Sequence, residues 1–287
     1  MLPVSLALIM FSMGLALTLD DFRQIFRHPK EVTIGLVAQM LFLPVLAFGI
    51  AWIAPISQAM KVGIILVAIC PGGATSNLIN YLLNGNLALC VSLTSLNAFL
   101  TQFSIPLLLN LAIFSFLGGE AKVNLPFWDA VLEIFLVTLL PVALGVWFQG
   151  QWNAVAQKLR KPLKYLMPML LGIAMVGATF FEKKNVPAVD FMDYLPVIPW
   201  LLALNLGAMI GSYRFTSWLG YPARTGMTIA VEVGLQNTGM AIMLATGSAL
   251  RDAPEIAVPA SIYALFSFFT MGGWAWYVAR KHKILKG

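Results

Sequence analysis

The sequence predicts an all-α membrane protein, and three observations carry that prediction. Hydrophobic residues fill 60% of the 287 positions and charged residues 10%, with a mean hydropathy of +0.84, which lies outside the range of soluble domains. Apolar stretches repeatedly reach the length that crosses a bilayer, about 20 residues. These runs are continuously apolar rather than alternating, so they read as helices and not as strands of a barrel. Lipid supplies no hydrogen-bond partner to a backbone left open, which leaves helices and closed barrels as the spanning structures.

Nine helices follow in order. The first, Leu2 to Leu17, has no basic residue before it, and "SMGLALTLDD" lacks a small-x-small cleavage site, so it reads as a membrane helix rather than a signal peptide. The polar run "DDFRQIFRHPKE" separates it from Val32 to Ile53, and "APIS" separates that helix from Met60 to Leu83. The turn "NGN" leads into Leu87 to Leu117, and "GGEAKVN" into Phe127 to Phe148. Leu163 to Phe181 is followed by "KKNVPAVD" and then Tyr194 to Tyr213. The last pair, Pro222 to Leu250 and Ile256 to Val278, is divided by "RDAP". No soluble domain is appended, and Cys70 and Cys90 both fall in helices, so no disulfide framework is indicated.

Basic residues set the expected orientation. With the N-terminus outside, thirteen of the 18 lysines and arginines fall on the cytoplasmic side, among them Arg23, Arg27, Lys158, Arg224 and Arg280. The net charge of +6 is then positive-inside bias rather than a nucleic-acid surface, and the C-terminus is cytoplasmic. With no organelle-targeting segment, the expected location is a bacterial plasma membrane.

Two helices carry polar interruptions. "CPGGATSN", Cys70 to Asn77, places a proline and two glycines in mid-helix, which should open it into two halves. Thr75, Ser76 and Asn77 follow and are of the type that caps a new half-helix, whose N-terminal amides suit an anion. The eighth helix repeats the theme without a proline: Gly234 and Gly239 flank Leu235, Gln236, Asn237 and Thr238. The two helices run in opposite directions, so the pair points to a transporter built from inverted repeats with its site near the midplane. Nine helices divide as four and five, which is explained if the first repeat lacks its leading helix.

"FSMGLALTLDDF" at Phe11 to Phe22, "PGGATSN" at Pro71 to Asn77 and "EVGLQN" at Glu232 to Asn237 together resemble the motifs of the bile acid:sodium symporter family, in the same order and along essentially the whole chain. The resemblance implies a core domain and a panel domain, two sodium ions at the crossing of the broken helices, and an anionic substrate in the cleft between domains. By that likeness residues 1–53 hold the first panel and first core helix, and 54–118 the core helices of the first repeat, broken at 71–77. Residues 119–190 hold the panel helices of the second repeat, and 191–287 its core helices, broken at 232–239. One sodium would be held by Ser76, Asn77, Thr94 and Glu232, with Cys90 standing where the family commonly has serine, although sulfur is a poor ligand for a hard cation. The second sodium would use Gln39, Gln236, Glu232 and main-chain carbonyls near Val233 and Leu235. Thr75, Asn237 and Ser267 would face the substrate. A His-Asn pair of bile-acid-transporting relatives is replaced here by Phe266 and Ser267, which weighs against a steroid and toward a smaller hydroxy or keto acid.

The residues themselves keep rival readings open. An ionised carboxylate at mid-membrane costs roughly 2.5 to 3.5 kcal/mol, so Glu232 needs a cation, and no lysine or arginine shares its depth. Sodium and a proton both qualify, the latter making the protein a proton-coupled carboxylate transporter. Gln39 is also readable as interhelical glue, and Thr94 as a hydroxyl bonded back to its own helix. An intramembrane hydrolase is disfavoured because His28 and His282 lie at the membrane edge.

Overall fold

The fold is seen in a computed structural model, which describes residues 7–8, 10–12, 14–15, 29–118, 132, 135–159, 162, 191–246, 250 and 253–284. Most of the first expected helix, and the sixth, Leu163 to Phe181, lie outside the described residues. The elements used below are α1 (Pro29–Ile53), α2 (Gln58–Ile69), α3 (Ala74–Leu82), α4 (Leu87–Leu117), α5 (Leu140–Gln151), α6 (Ile198–Trp218), α7 (Ala223–Gly234), α8 (Thr238–Thr246) and α9 (Ala257–Lys281). Among the described residues, α1, Tyr194–Trp218 and Pro254–Lys281 are long and apolar enough to cross a membrane unaided. α4 adds a fourth span if its two parts, bent by 59°, count as one. The bend has a cause in the sequence: Pro106 offers no N–H to the carbonyl of residue 102 and its ring crowds it.

Polarity is inverted relative to a soluble protein. Phe114, Trp218 and Phe269 are exposed, whereas Gln39, Ser76, Thr94, Asn97, Asn205 and Glu232 are buried. Apolar surface outside and polar groups inside is what lipid selects.

The chain divides into two compact units. One comprises Met1–Leu19 and Trp128–Leu195, the other Asp20–Phe127 and Pro196–Gly287. In the first, a short helical stretch at 10–12 meets α5 with Phe11 edge-on to Phe148 at 6.0 Å, where glycines at 14 and 145 let the backbones approach closely. In the second, α7 is the central element. It packs against α6, α9, α4, α3 and α1, and every residue from Thr225 to Gly234 is buried. Met209, Met227, Val231, Leu235 and Met271 form the apolar core around it.

Both expected interruptions exist, and each has a local reason. A residue before proline is pushed out of the helical region. Cys70 accordingly has ψ 151°, α2 stops at Ile69, and the helix resumes only at Ala74. α7 stops at Gly234, Leu235 turns extended (φ −112°, ψ 96°), and α8 begins at Thr238. The two gaps cross and pair as a short antiparallel bridge between Gly72 and Gln236. Gly73 N–H donates to Leu235 O at 3.0 Å, and Asn237 N–H to Pro71 O at 2.8 Å. Groups that proline and the breaks would have orphaned thus satisfy one another, as buried backbone must.

Candidate functional site at the helix crossing

The expected cap of α3 is not formed by Thr75, Ser76 or Asn77. The helix starts one residue before them, with Gly73 at the N-cap and no side-chain cap. They occupy its first turn instead, and Ser76 is thereby free to face the neighbouring helix α7. Ser76 Oγ donates to Glu232 Oε2 at 2.5 Å and also lies 2.7 Å from Gly73 O.

Glu232 is fully buried. Thr94 Oγ1 donates to its Oε1 at 2.9 Å, and Cys90 Sγ–H to its Oε2 at 3.4 Å. Cys90 and Thr94 sit one helical turn apart on α4, so one face of that helix meets the carboxylate twice. Thr94 also lies 2.9 Å from Cys90 O, so the back-bonded arrangement and the site arrangement are both within reach. Among the described residues no lysine, arginine or histidine pairs with Glu232, and its partners are all neutral. Gly72 is required beside it, because a Cβ there would stand 2.2 Å from Oε1. Asn77 is half-buried, and its Oδ1 has no hydrogen-bond partner.

A second group assembles around paired amides. Gln39 Nε2 donates to Gln236 Oε1 at 3.0 Å and to Cys70 O at 3.0 Å, the latter a carbonyl left without a helical partner by the break between Ile69 and Ala74. Gln236 Nε2 reaches Val233 O at 2.5 Å and Gln39 Oε1 at 3.4 Å. Gln39 lies on a π turn, Ala38–Phe42, directly ahead of Pro44. A missing N–H two residues downstream favours the wider i→i+5 pattern there, which turns Gln39 toward the crossing. The hydrogen bonds of Glu232 go to the first group and not to this pair, but Gly72 touches the carboxylate and pairs with Gln236, so both groups abut the same bridge.

The three residues expected to face substrate are more dispersed. Thr75 is exposed and Asn237 half-buried. Asn237 Oδ1 accepts from Met240 N–H at 3.0 Å, making it the N-cap of α8, which its place before a new helix explains. Ser267 is buried on α9 and shares no hydrogen bond with either among the described residues.

Sequence reasoning missed two features. Asn97 is fully buried one turn beyond Thr94, within reach of the Glu232 carboxylate but with neither amide atom in a hydrogen bond of normal geometry. Asn205 Nδ2 (3.0 Å) and Tyr263 OH (2.8 Å) both donate to Gly234 O, and Thr270 Oγ1 donates to Asn205 Oδ1 at 2.7 Å. This network satisfies a carbonyl in the last turn of α7 and so fixes where that helix ends. An asparagine amid "LLALNLGAM" was its one signal in the sequence.

Two interrupted helices crossing at a buried carboxylate define a membrane transporter core rather than an enzyme. A family model described as Sodium Bile acid symporter family matches residues 3–188, and the chain belongs to that family. It is 31% identical to the uncharacterized sodium-dependent transporter YocS of Bacillus subtilis, over 98% of this chain and 84% of that one. It is 29% identical to "Probable sodium/metabolite cotransporter BASS1, chloroplastic" of Arabidopsis thaliana, over 94% of this chain and 66% of that one. The ileal sodium/bile acid cotransporter of Homo sapiens is 26% identical over 83% of this chain and 66% of its own length. The chain thus spans just under two thirds of those plant and human relatives.

Proposed function

We propose that the protein is a sodium-coupled symporter that imports an organic anion with two sodium ions, by alternating access. The observation that carries this reading is Glu232: fully buried at the crossing, held only by neutral donors, and without a basic partner among the described residues. Burying a carboxylate this far from water is costly, and a cation seated beside it would offset that cost where no basic side chain does. Glu232 brings one negative charge and its side-chain partners are neutral, so a monovalent ion suits the site better than a divalent one.

The first ion is assigned to Ser76, Asn77, Thr94 and Glu232, with Cys90 facing the same position. A hydroxyl has one proton and two lone pairs. Ser76 and Thr94 each have a helix carbonyl (Gly73 O, Cys90 O) and a carboxylate oxygen as alternative acceptors. With the protons turned to the carbonyls, both oxygens offer lone pairs beside the carboxylate, the donor set a hard cation takes. The unpartnered Asn77 Oδ1 supports the assignment. The second ion is assigned to Gln39, Gln236, the Val233 and Leu235 carbonyls and Glu232; each carbonyl accepts one bond and keeps a lone pair. The anion is assigned to Thr75, Asn237 and Ser267 near the start of α3. The unit of 20–127 and 196–287 would be the core and the other unit the panel, in a bacterial plasma membrane with the C-terminus cytoplasmic.

Thermal unfolding of the purified protein, titrated with NaCl against KCl at constant ionic strength and across a panel of organic anions, tests this. Stabilisation by sodium that deepens with one anion is expected. No sodium effect, with uptake following a pH gradient instead, would reject it in favour of proton coupling.

A further inference from the structure

Cys90, Thr94, Asn97 and Thr101 recur at helical spacing along α4, and all four are buried. Cys90 and Thr94 meet the Glu232 carboxylate directly, and Asn97 lies within electrostatic reach of it. Yet neither atom of the Asn97 amide has a hydrogen-bond partner of normal geometry. An unsatisfied buried amide costs about 1–3 kcal/mol, so its presence calls for a compensating role. Asn80 makes a useful contrast. Its amide nitrogen is engaged by Ser76 O at 3.1 Å and Cys90 Sγ at 3.1 Å, so it is held in place although its oxygen has no hydrogen-bond partner, whereas neither end of Asn97 is held in this way.

Cys90 makes a difficulty that Asn97 resolves. Its sulfur already accepts from Asn80 and donates to Glu232, and sulfur is a weak ligand for a hard alkali cation. A cation beside Glu232 would therefore be one oxygen short on the α4 side. The amide of Asn97 carries an uncharged oxygen to face the cation and an N–H₂ group to donate to the carboxylate. We infer that Asn97 is an ion-site residue of this protein, its side-chain oxygen supplying the α4 ligand that Cys90 does not, so that the first sodium is held toward the Thr94–Asn97 turn. The inference rests on the sodium-coupled reading and extends it to a residue outside the assigned set.

The test is the sodium midpoint of thermal stabilisation, measured on the full-length protein for Asn97→Ala, Asn97→Leu, Cys90→Ser and the Cys90→Ser/Asn97→Leu double variant. Asn97→Leu should raise the midpoint about tenfold or more, the loss of roughly one good ligand contact. Its sodium-free stability should be equal or higher, since an unpartnered amide has been removed. In the Cys90→Ser background, where a hydroxyl restores the oxygen, the same change should raise the midpoint by less than about threefold. Midpoints within about twofold of the parent for both Asn97 variants, while Glu232→Gln still loses its response, would overturn the inference and leave sodium coupling standing. An undiminished effect in the Cys90→Ser background, or failure of both Asn97 variants to fold without sodium, would also overturn it in favour of a structural amide. A parent protein with no sodium response removes the sodium-coupled reading, and this inference with it.

Discussion

Gly72→Ala tests the site with the least chemical change. The substitution adds one carbon, 2.2 Å from Glu232 Oε1 and 2.6 Å from its carboxyl carbon, where ordinary contact begins at 3.4 Å. The carboxylate must therefore retreat by about 1 Å or the bridge to Gln236 must open, since the backbone at Gly72 is itself paired. Ser76 at 2.5 Å and Thr94 at 2.9 Å cannot both follow such a shift from their fixed helices. A carboxylate displaced by about 1 Å no longer shares one ion with the Ser76 and Thr94 oxygens, so the sodium midpoint should rise by about tenfold or more, the loss of roughly one good ligand contact. The assay is the sodium midpoint of thermal stabilisation in detergent. Gly49→Ala serves as the control, because a Cβ there meets nothing within 4 Å, and its midpoint should match the parent's. If Gly72→Ala binds sodium like the parent while remaining folded, the carboxylate is not the group that holds the ion.

Glu232→Gln should abolish the sodium response and leave a folded protein, because a neutral amide removes the buried charge while keeping the volume; unfolding curves with and without NaCl would then coincide. Cys90→Ser should keep or lower the sodium midpoint, an oxygen replacing sulfur beside Glu232, and a raised midpoint would count against an ion there. Tyr263→Phe removes one of two donors to Gly234 O, so denaturant unfolding should show a loss of about 1 kcal/mol, with the sodium midpoint changed by less than about threefold. Uptake into vesicles should rise with an inside-negative potential, since two sodium ions with a monovalent anion carry one net charge worth about 2.3 kcal/mol per 100 mV; indifference to potential would require a different stoichiometry.

What the sequence makes legible depends on how local the cause is. Pro71 acts on its own neighbour, so the break after Ile69 is readable from "CPGG" alone. The second break falls at Leu235 to Asn237 without a proline, and its place is fixed by hydrogen bonds to Pro71 and Gly73, partners more than 160 residues away in the chain. Of the nine expected helices, the described residues contain three unbroken spans and one bent pair, with two more divided at the crossing. Around the site, a lone carboxylate in apolar sequence announces itself by its cost; Ser76 lies in a family motif, and Thr94 came only from what the resemblance implies. Asn97 and Asn205 were not legible, because an amide on an apolar helix has the same appearance whether it braces a neighbour or waits for a ligand. Only the fold, which joins Asn205 to Tyr263 and Thr270 across 58 and 65 residues, separates those roles.

The crossing also supplies a reason for the ions and the anion to act together. A ligand shifts a conformational equilibrium only through contacts that differ between states, so coupling needs a part that both ligands load. Ser76, assigned to an ion, is next to Thr75, assigned to the anion; Gln236 is likewise next to Asn237. The bonds from Gly73 N–H to Leu235 O and from Asn237 N–H to Pro71 O clamp both pairs into one rigid piece, and Gly72 sets the Glu232 carboxylate against it. Filling the first ion position would part the Ser76 and Glu232 oxygens from their 2.5 Å hydrogen bond to admit the ion, and the second position, built on Gln236, would feel the same movement. Sodium stabilisation should therefore be cooperative, with a Hill coefficient above unity that rises when the transported anion is present. A coefficient of unity under both conditions would mean that the ions bind independently, and the bridge would then be scaffolding rather than the element that links them.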